Sequence, residues 1–392
     1  MSAPNLTEAA PRLRDGFRDA LVVFLAVRIG LFVLSAIGAN GMFPIPPGQP
    51  ATDSGFAAPS LEAGWHVLFT ATQRQDALWY LRLATEGYAP GDPSAAFFPL
   101  YPALVRIVAW LPGIGPLGAG LLVSNGALLG SLVVLHGLTR LELGGDRITA
   151  RRAIRYLAIF PTAFFFLAPY TESLFLLLSL LAFWCARRDR WGWAAAAGAL
   201  AALTRSVGVL LIVGLAIEAV SQRRREGRPL LPRLLAAGAV AAGPLLYLLW
   251  WELRFDDLWA PLDAQRNWGR TTTWPFEAAW DALRYAWRYR GYWLLDAAVV
   301  GLAATGVALA ARRIRPGYTG YAAASLLLPL LAPFGDRPLL SMPRFVIVAF
   351  PLAWGYALAV ERGRLSDALV TAVFAAGYGL MAVLFVAWQY VF

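Results

Sequence analysis

From Ala20 to Ala39 the chain runs for twenty residues with one charged side chain, Arg28. A helix of about twenty apolar residues crosses the ~30 Å hydrocarbon core of a bilayer. Runs of this kind recur at about 20–39, 117–138, 156–169, 173–186, 191–204, 206–220, 234–251, 293–311, 318–333, 344–360 and 366–388. In lipid every backbone N–H and C=O must be satisfied within the chain, so such runs become helices. The sequence therefore predicts an all-α, polytopic membrane protein with about 11 transmembrane helices, a single integral-membrane domain over 1–392. Composition agrees: 59% of the residues are hydrophobic and 15% charged, where a soluble domain carries about 25% charge. The spans between 156 and 220 are short and paired, which suits tilted or re-entrant helices.

The polar remainder fixes an orientation. The formal net charge is +10, and arginine-rich connectors mark the cytoplasmic side of a membrane protein. With the N-terminus cytoplasmic, Arg12, Arg14 and Arg18, the 140–155 loop, "RRDR", "QRRREGRPLLPR", "RRIR" and "ERGR" all fall on that one side. The basic excess thus reports topology, and nucleic acid is not an expected partner. The Ala20–Ala39 run is longer than the apolar core of a cleavable signal and is expected to remain as the first span. The outer side receives two large loops, about 40–116 and 252–292, plus short turns at "PYTES", "TRSVG" and "FGDRPLLSMPR". A multi-pass membrane protein with its N-terminus cytoplasmic is the resulting expectation.

Helices are expected inside both outer loops. Phe276, Trp280, Leu283 and Trp287 share one face, with Pro275 suited to the first turn, as in a helix lying on the outer leaflet. In "RQDALWYLRLATEGYAPGDPSAAFFPLYP" (74–102), Thr72 and Gln75 fit a capping box and Gly87 a helix stop. Asp76, Trp79, Tyr80 and Leu83 then share a face, while Pro99 and Pro102 exclude a regular helix through "FFPLYP".

Several residues carry potential chemistry. An ionised Asp76 beside a ring-lined surface can serve as a general base, or it simply favours the helix N-terminus. Phe98 and Tyr101 can floor a lipid or sugar site, or anchor the interface. Glu172 and Arg205 stand at outer junctions of adjacent spans. They either pair structurally or line a charged cavity in which Arg205 meets a lipid phosphate. Arg266, Arg270 and Arg344 are further outer arginines beside rings, able to stabilise a departing phosphate or to snorkel to head groups. The lone Cys185 forms no intrachain disulfide, and His66 and His136 are too far apart for a histidine-based metal site. Asp256 and Asp257 make no Asp-x-Asp motif, and no nucleotide-binding fingerprint is present. No cofactor is expected, although a divalent metal stays open.

Taken together, "DALWYLRLATEGY", "AFFPLYPALVR", "YTESLFLLLSLLAFWCARRDRWGWAAAAGALAALTRSVGVLL", "QRNWGR" and "PRFVIVAFPLAW" resemble the PIG-V family, the second mannosyltransferases of glycosylphosphatidylinositol assembly, and especially its bacterial relatives. Gln75 stands where those relatives usually carry Trp, and Ser206 where Pro is common. The resemblance implies a GT-C glycosyltransferase fold and inverting transfer of a sugar, with mannose indicated, from polyprenyl phosphate to a glycan, lipid or protein acceptor. It implies Asp76 as catalytic base, working on the outer face of the bacterial cytoplasmic membrane, and the Glu172, Arg205 and Arg344 positions match its motifs. The expected mechanism has the donor phosphate held by Arg205 and by one or more of Arg266, Arg270 and Arg344, beside a substrate cavity of Trp79, Tyr80, Phe98, Tyr101, Tyr170 and Glu172. A transporter or lipid-linked-sugar flippase is the competing class. It predicts inverted repeats and a midplane site, whereas this chain shows no evident repeat and keeps its charges at the outer ends of spans.

Overall fold

The computed structural model describes residues 14–38, 65–266 and 270–389, with the side chains of residues 14, 15, 265 and 266 left aside. Helices occupy most of it: α1 Arg14–Ile37, α2 Asp76–Thr85, α3 Leu100–Ala109, α4 Pro116–Glu142, α5 Arg147–Ala158, α6 Glu172–Arg187, α7 Trp191–Ala202, α8 Leu211–Glu226, α9 Leu231–Gly238, α10 Ala242–Phe255, α11 Ala260–Arg266, α12 Pro275–Tyr289, α13 Gly291–Ala311, α14 Pro316–Leu327, α15 Pro351–Glu361 and α16 Asp367–Val386. Among the described residues the only extended pairing is an isolated antiparallel bridge between Arg270 and Phe334. The protein is all-α and integral to a membrane. Among the described residues six helical stretches are long and apolar enough to cross one, or up to seven if a bent pair counts as one span.

Several of the expected apolar runs are broken rather than continuous helices. The 156–169 run is not one helix. It holds the end of α5, stops before Pro161, and continues as a 3-10 turn over Ala163–Phe166 whose phenylalanines are fully buried. A proline N–H is missing and its ring clashes with the preceding turn, so packing of rings replaces helical continuity there. The 344–360 run bends by 70° between Met342–Val348 and Pro351–Glu361. The 318–333 run leaves α-helix after Leu327 for a 3-10 turn. Helices α6 and α7 have 16 and 12 residues, so at 1.5 Å per residue neither reaches about 30 Å.

Core packing brings remote segments together. Helices α4, α6 and α7 pack in sequence, α8 packs on α14, and α13 packs on α15. The α13–α15 contact needs glycine: a Cβ on Gly355 would lie 1.8 Å from the Gly306 carbonyl oxygen. Small residues permit this backbone-to-backbone approach, which suits helix pairs in lipid. At the opposite end from Asp76, buried Glu218 answers Arg187 and Arg315, joining α6, α8 and the start of α14.

The two large loops contain the expected helices. In α12, Phe276, Trp280, Leu283 and Trp287 are all exposed, whereas Ala278, Ala282 and Ala286 face the protein. One correction concerns "FFPLYP": α3 begins at Leu100, with Pro99 as its cap and Pro102 in its first turn. Proline is tolerated there because first-turn N–H groups have no intrahelical partner.

Candidate active site

Asp76 opens α2, but not through the expected capping box. Thr72 donates its hydroxyl back to the Phe69 carbonyl, and Gln75 makes no side-chain cap bond and sits at φ 46°, ψ −120°. A non-glycine residue held at positive φ signals a backbone constrained by its surroundings. The constraint is visible one residue earlier. Fully buried Arg74 donates through Nε to the Val386 carbonyl at 3.2 Å, at the end of α16, and through a terminal nitrogen to the Gln73 carbonyl at 3.1 Å. Burial pushes its pKa down to about 9. The Tyr170 hydroxyl donates to the Arg74 carbonyl at 2.8 Å. Gly87, at φ +85°, then ends α2 in the left-handed conformation that glycine adopts without strain.

Three other segments converge on Asp76. The first is the turn between α7 and α8, which holds Arg205. It is tied to the start of α3, where the Leu100 N–H donates to the Leu203 carbonyl at 3.1 Å. The second is the start of α6, which holds Glu172. The third is the turn Met342–Phe345, which holds Arg344 and is tied to the Pro161 region by the Thr162 hydroxyl donating to the Pro343 carbonyl at 2.6 Å. The result is a chain of ion pairs. Arg344 pairs with Asp76, its Nε lies 3.2 Å from Glu172 Oε1, and Arg205 pairs with the same Glu172 oxygen. The two acids differ in access: Asp76 keeps 23% of its side-chain surface and Glu172 1%. Only Asp76 is open to an incoming molecule.

It opens onto a cavity of about 300 Å³. Asp76 and Tyr80 form one wall, Phe97 and Phe98 another, Arg205 with Thr204 and Ser206 a third, and Arg344 with Phe345 and Ser341 a fourth. Arg270 completes the lining beside Phe334. It reaches there because its segment pairs with 331–334: Arg270 donates to the Ala332 carbonyl at 2.9 Å, and the Thr271 N–H to the Pro333 carbonyl at 3.0 Å. Burial, then the neighbouring Arg344, pushes the Arg270 pKa down from its usual value, with Asp76 opposing. Burial, reinforced by Asp76, drives the Tyr80 phenol well up, so it stays neutral. A pocket with three cations, one accessible carboxylate and aromatic walls suits an anionic group joined to an apolar or sugar body. Among the described residues no group of three or more His, Cys, Asp or Glu side chains is placed to hold a metal ion.

Of the residues singled out in the sequence, Asp76, Tyr80, Phe98, Arg205, Arg270 and Arg344 meet at this cavity. The side chain of Arg266 lies outside the described residues. Four others sit behind the wall rather than on it. Trp79 is buried against Phe97 with ring centroids 5.4 Å apart. Tyr101 is fully buried, its hydroxyl 2.9 Å from Ser124 Oγ. Tyr170 supports the Arg74 backbone, and Glu172 holds the two arginines. Rings and hydroxyls at such positions satisfy core packing as readily as a ligand, which is why residue type alone did not separate the two. Arg74 and Phe345 were not singled out. Arg74 carries a signal only in retrospect, a charge adjacent to Asp76 that nothing in the local pattern requires. Phe345 lies under the guanidinium groups of Arg205 and Arg344, 5.0 and 5.3 Å from its centroid, and its place beside Arg344 in "MPRF" was the available cue.

No protein-family model matches the chain, and no curated protein matches it significantly. Among solved structures it is similar to a crystal structure of ArnT from Cupriavidus metallidurans in the apo state, with 15% sequence identity and a TM-score of 0.48 over 95% of this chain and 76% of that one.

Proposed function

We propose that the chain is an inverting glycosyltransferase of the GT-C type that moves a sugar, with mannose indicated, from a polyprenyl-phosphate donor to an acceptor hydroxyl at the outer face of a membrane. The observation that carries this reading is the convergence of Asp76, Arg205, Arg270 and Arg344 on one aromatic-walled cavity in a helical membrane protein. The PIG-V-like sequence pattern supplies the sugar and donor class. The arginine distribution supplies the orientation: N-terminus cytoplasmic, cavity outside.

In this reading the donor phosphate lies against the guanidinium groups of Arg205, Arg344 and Arg270, and its lipid chain leaves toward the bilayer. The acceptor hydroxyl approaches Asp76. Asp76 takes its proton as the oxygen forms a bond to the anomeric carbon, and the bond from that carbon to the phosphate oxygen breaks. The electron pair leaves with polyprenyl phosphate, whose added charge the arginines stabilise. One carboxylate suffices because phosphate leaves without protonation, unlike the alcohol departing in glycoside hydrolysis, which needs a second acid. Attack from the face opposite the leaving phosphate inverts the anomeric centre.

The test is purified protein in lipid given polyprenyl-phosphate mannose labelled in the sugar, with a nucleotide-linked mannose in parallel. Transfer from the lipid-linked donor alone, with inversion, is expected. Transfer from the nucleotide-linked donor alone, or movement of the lipid donor across the bilayer without transfer, refutes the reading.

A further inference from the structure

Glu172 is the charged group the transfer step leaves unused. It is fully buried and absent from the cavity wall, yet it binds two of the arginines that line that wall. Its Oε2 has no hydrogen-bond partner among the described residues, so its charge is answered by Arg205 and Arg344 alone. Arg344 in turn divides its charge between Glu172 and Asp76. The phenols facing these acids, Tyr80 from α2, Tyr101 from α3 and Tyr170 before α6, are held neutral by burial. The remaining charged neighbour, Arg270, faces Asp76 from the second outer loop. The site thus holds three positive and two negative side chains.

The geometry points to Glu172 as a positioning residue that sets both the pull of the site on a phosphate-bearing lipid and the base strength of Asp76, through the two arginines it anchors. This deepens the transferase reading and rests on it. The balance runs in opposite directions for the two steps. Neutralising Glu172 leaves its arginines more available to phosphate, so the lipid binds more tightly. It also leaves Arg344 wholly to Asp76, and a carboxylate held by an undivided cation takes up a proton less readily. Binding improves while chemistry slows. A side chain that merely filled space or stabilised the fold would shift both parameters the same way or neither.

The experiment measures Glu172→Gln on the monodisperse fraction recovered by size exclusion, with a polyprenyl phosphate in detergent as the binding probe and labelled polyprenyl-phosphate mannose as the donor. One unopposed charge within several ångströms predicts a Kd lower by on the order of tenfold. The weaker base predicts a kcat lower by roughly three- to tenfold. Glu172→Asp, which keeps the charge, is expected to hold the Kd within about threefold of the parent. A Gln variant that binds no more tightly than the parent, or an Asp variant that binds as tightly as the Gln variant, overturns the proposal. Should the Gln variant leave no folded fraction, Arg205→Gln carries the test with the opposite sign. The site then loses a cation and the Kd rises more than about tenfold. An unchanged Kd overturns the proposal. Parent protein that binds the lipid phosphate but transfers nothing removes the transferase reading and leaves the Kd comparison to decide Glu172. Parent protein that does neither overturns both.

Discussion

Replacing Arg344 by Gln removes the one cation shared by the two acids of the site. In the structure this guanidinium pairs with Asp76, lies 3.2 Å from Glu172 through Nε, and keeps 13% of its side-chain surface. Donors aimed at a developing anion in such a site are worth about 3–4 kcal/mol of transition-state stabilisation. That converts to a fall of roughly 10²–10³ in kcat/KM for transfer from a polyprenyl-phosphate sugar. The loss of stability should be smaller than the ~3–5 kcal/mol of a fully buried broken pair, because Asp76 is 23% exposed and hydrates, while Glu172 keeps Arg205. About 1–2 kcal/mol is expected, enough to lower the melting temperature but not to abolish folding. Arg344→Lys should be intermediate, because one ammonium cannot reproduce the two-sided guanidinium contact. The assay is initial-rate transfer by detergent-purified protein over a range of pH, with thermal melting in parallel. An Arg344→Gln enzyme with kcat/KM within threefold of the parent refutes this account of the site.

Tyr170→Phe deletes the hydroxyl that holds the Arg74 carbonyl at 2.8 Å; a stability loss of about 1 kcal/mol is expected by thermal melting, with a severalfold drop in kcat from a looser Asp76. Gly355→Ala places a methyl group 1.8 Å from the Gly306 carbonyl oxygen, so α13 and α15 must separate; a loss of about 1–3 kcal/mol should appear as a lower melting temperature in detergent, and an unchanged one contradicts the close contact. Topology is tested in a background with Cys185→Ala: Arg288→Cys, at an exposed polar position of α12, should react with a membrane-impermeant maleimide in intact cells, and Arg313→Cys only after permeabilisation. The reverse pattern inverts the orientation and places the cavity on the cytoplasmic side.

The helical membrane class was legible because hydrophobic run length is a local property, readable from Ala20–Ala39 alone. The continuity of individual runs was not, because Pro161 and Pro351 interrupt apolar stretches whose polar groups are satisfied by tertiary packing, giving 3-10 turns and a 70° bend where composition reads as continuous helix. At the candidate site, Arg205 and Arg344 were identifiable as charges at the ends of apolar runs, where an ionisable group needs a partner, and Asp76 as the acid opening a short loop helix. Their mutual pairing was not, since Arg344 and Asp76 are 268 residues apart and each local pattern has an equally good bland explanation. Glu172 and Arg205 show both explanations at once: they form the ion pair that a structural reading requires, and Arg205 still faces the cavity. Trp79 and Tyr101 lie on helix faces that are right for a cavity wall but are covered by Phe97 and by α4, an occlusion only the folded chain reveals.

Asp76→Asn tests the central claim most directly, because the amide keeps the size and place of the side chain while removing its capacity to take a proton. Measured on folded protein, polyprenyl phosphate should still bind, and more tightly than to the parent, since Arg344 is released from Asp76. Single-turnover transfer of labelled sugar should fall by at least about a hundredfold, the usual worth of a positioned general base. Transfer at a rate near that of the parent, at normal protein abundance, contradicts Asp76 as the base and with it the proposed chemistry of the cavity.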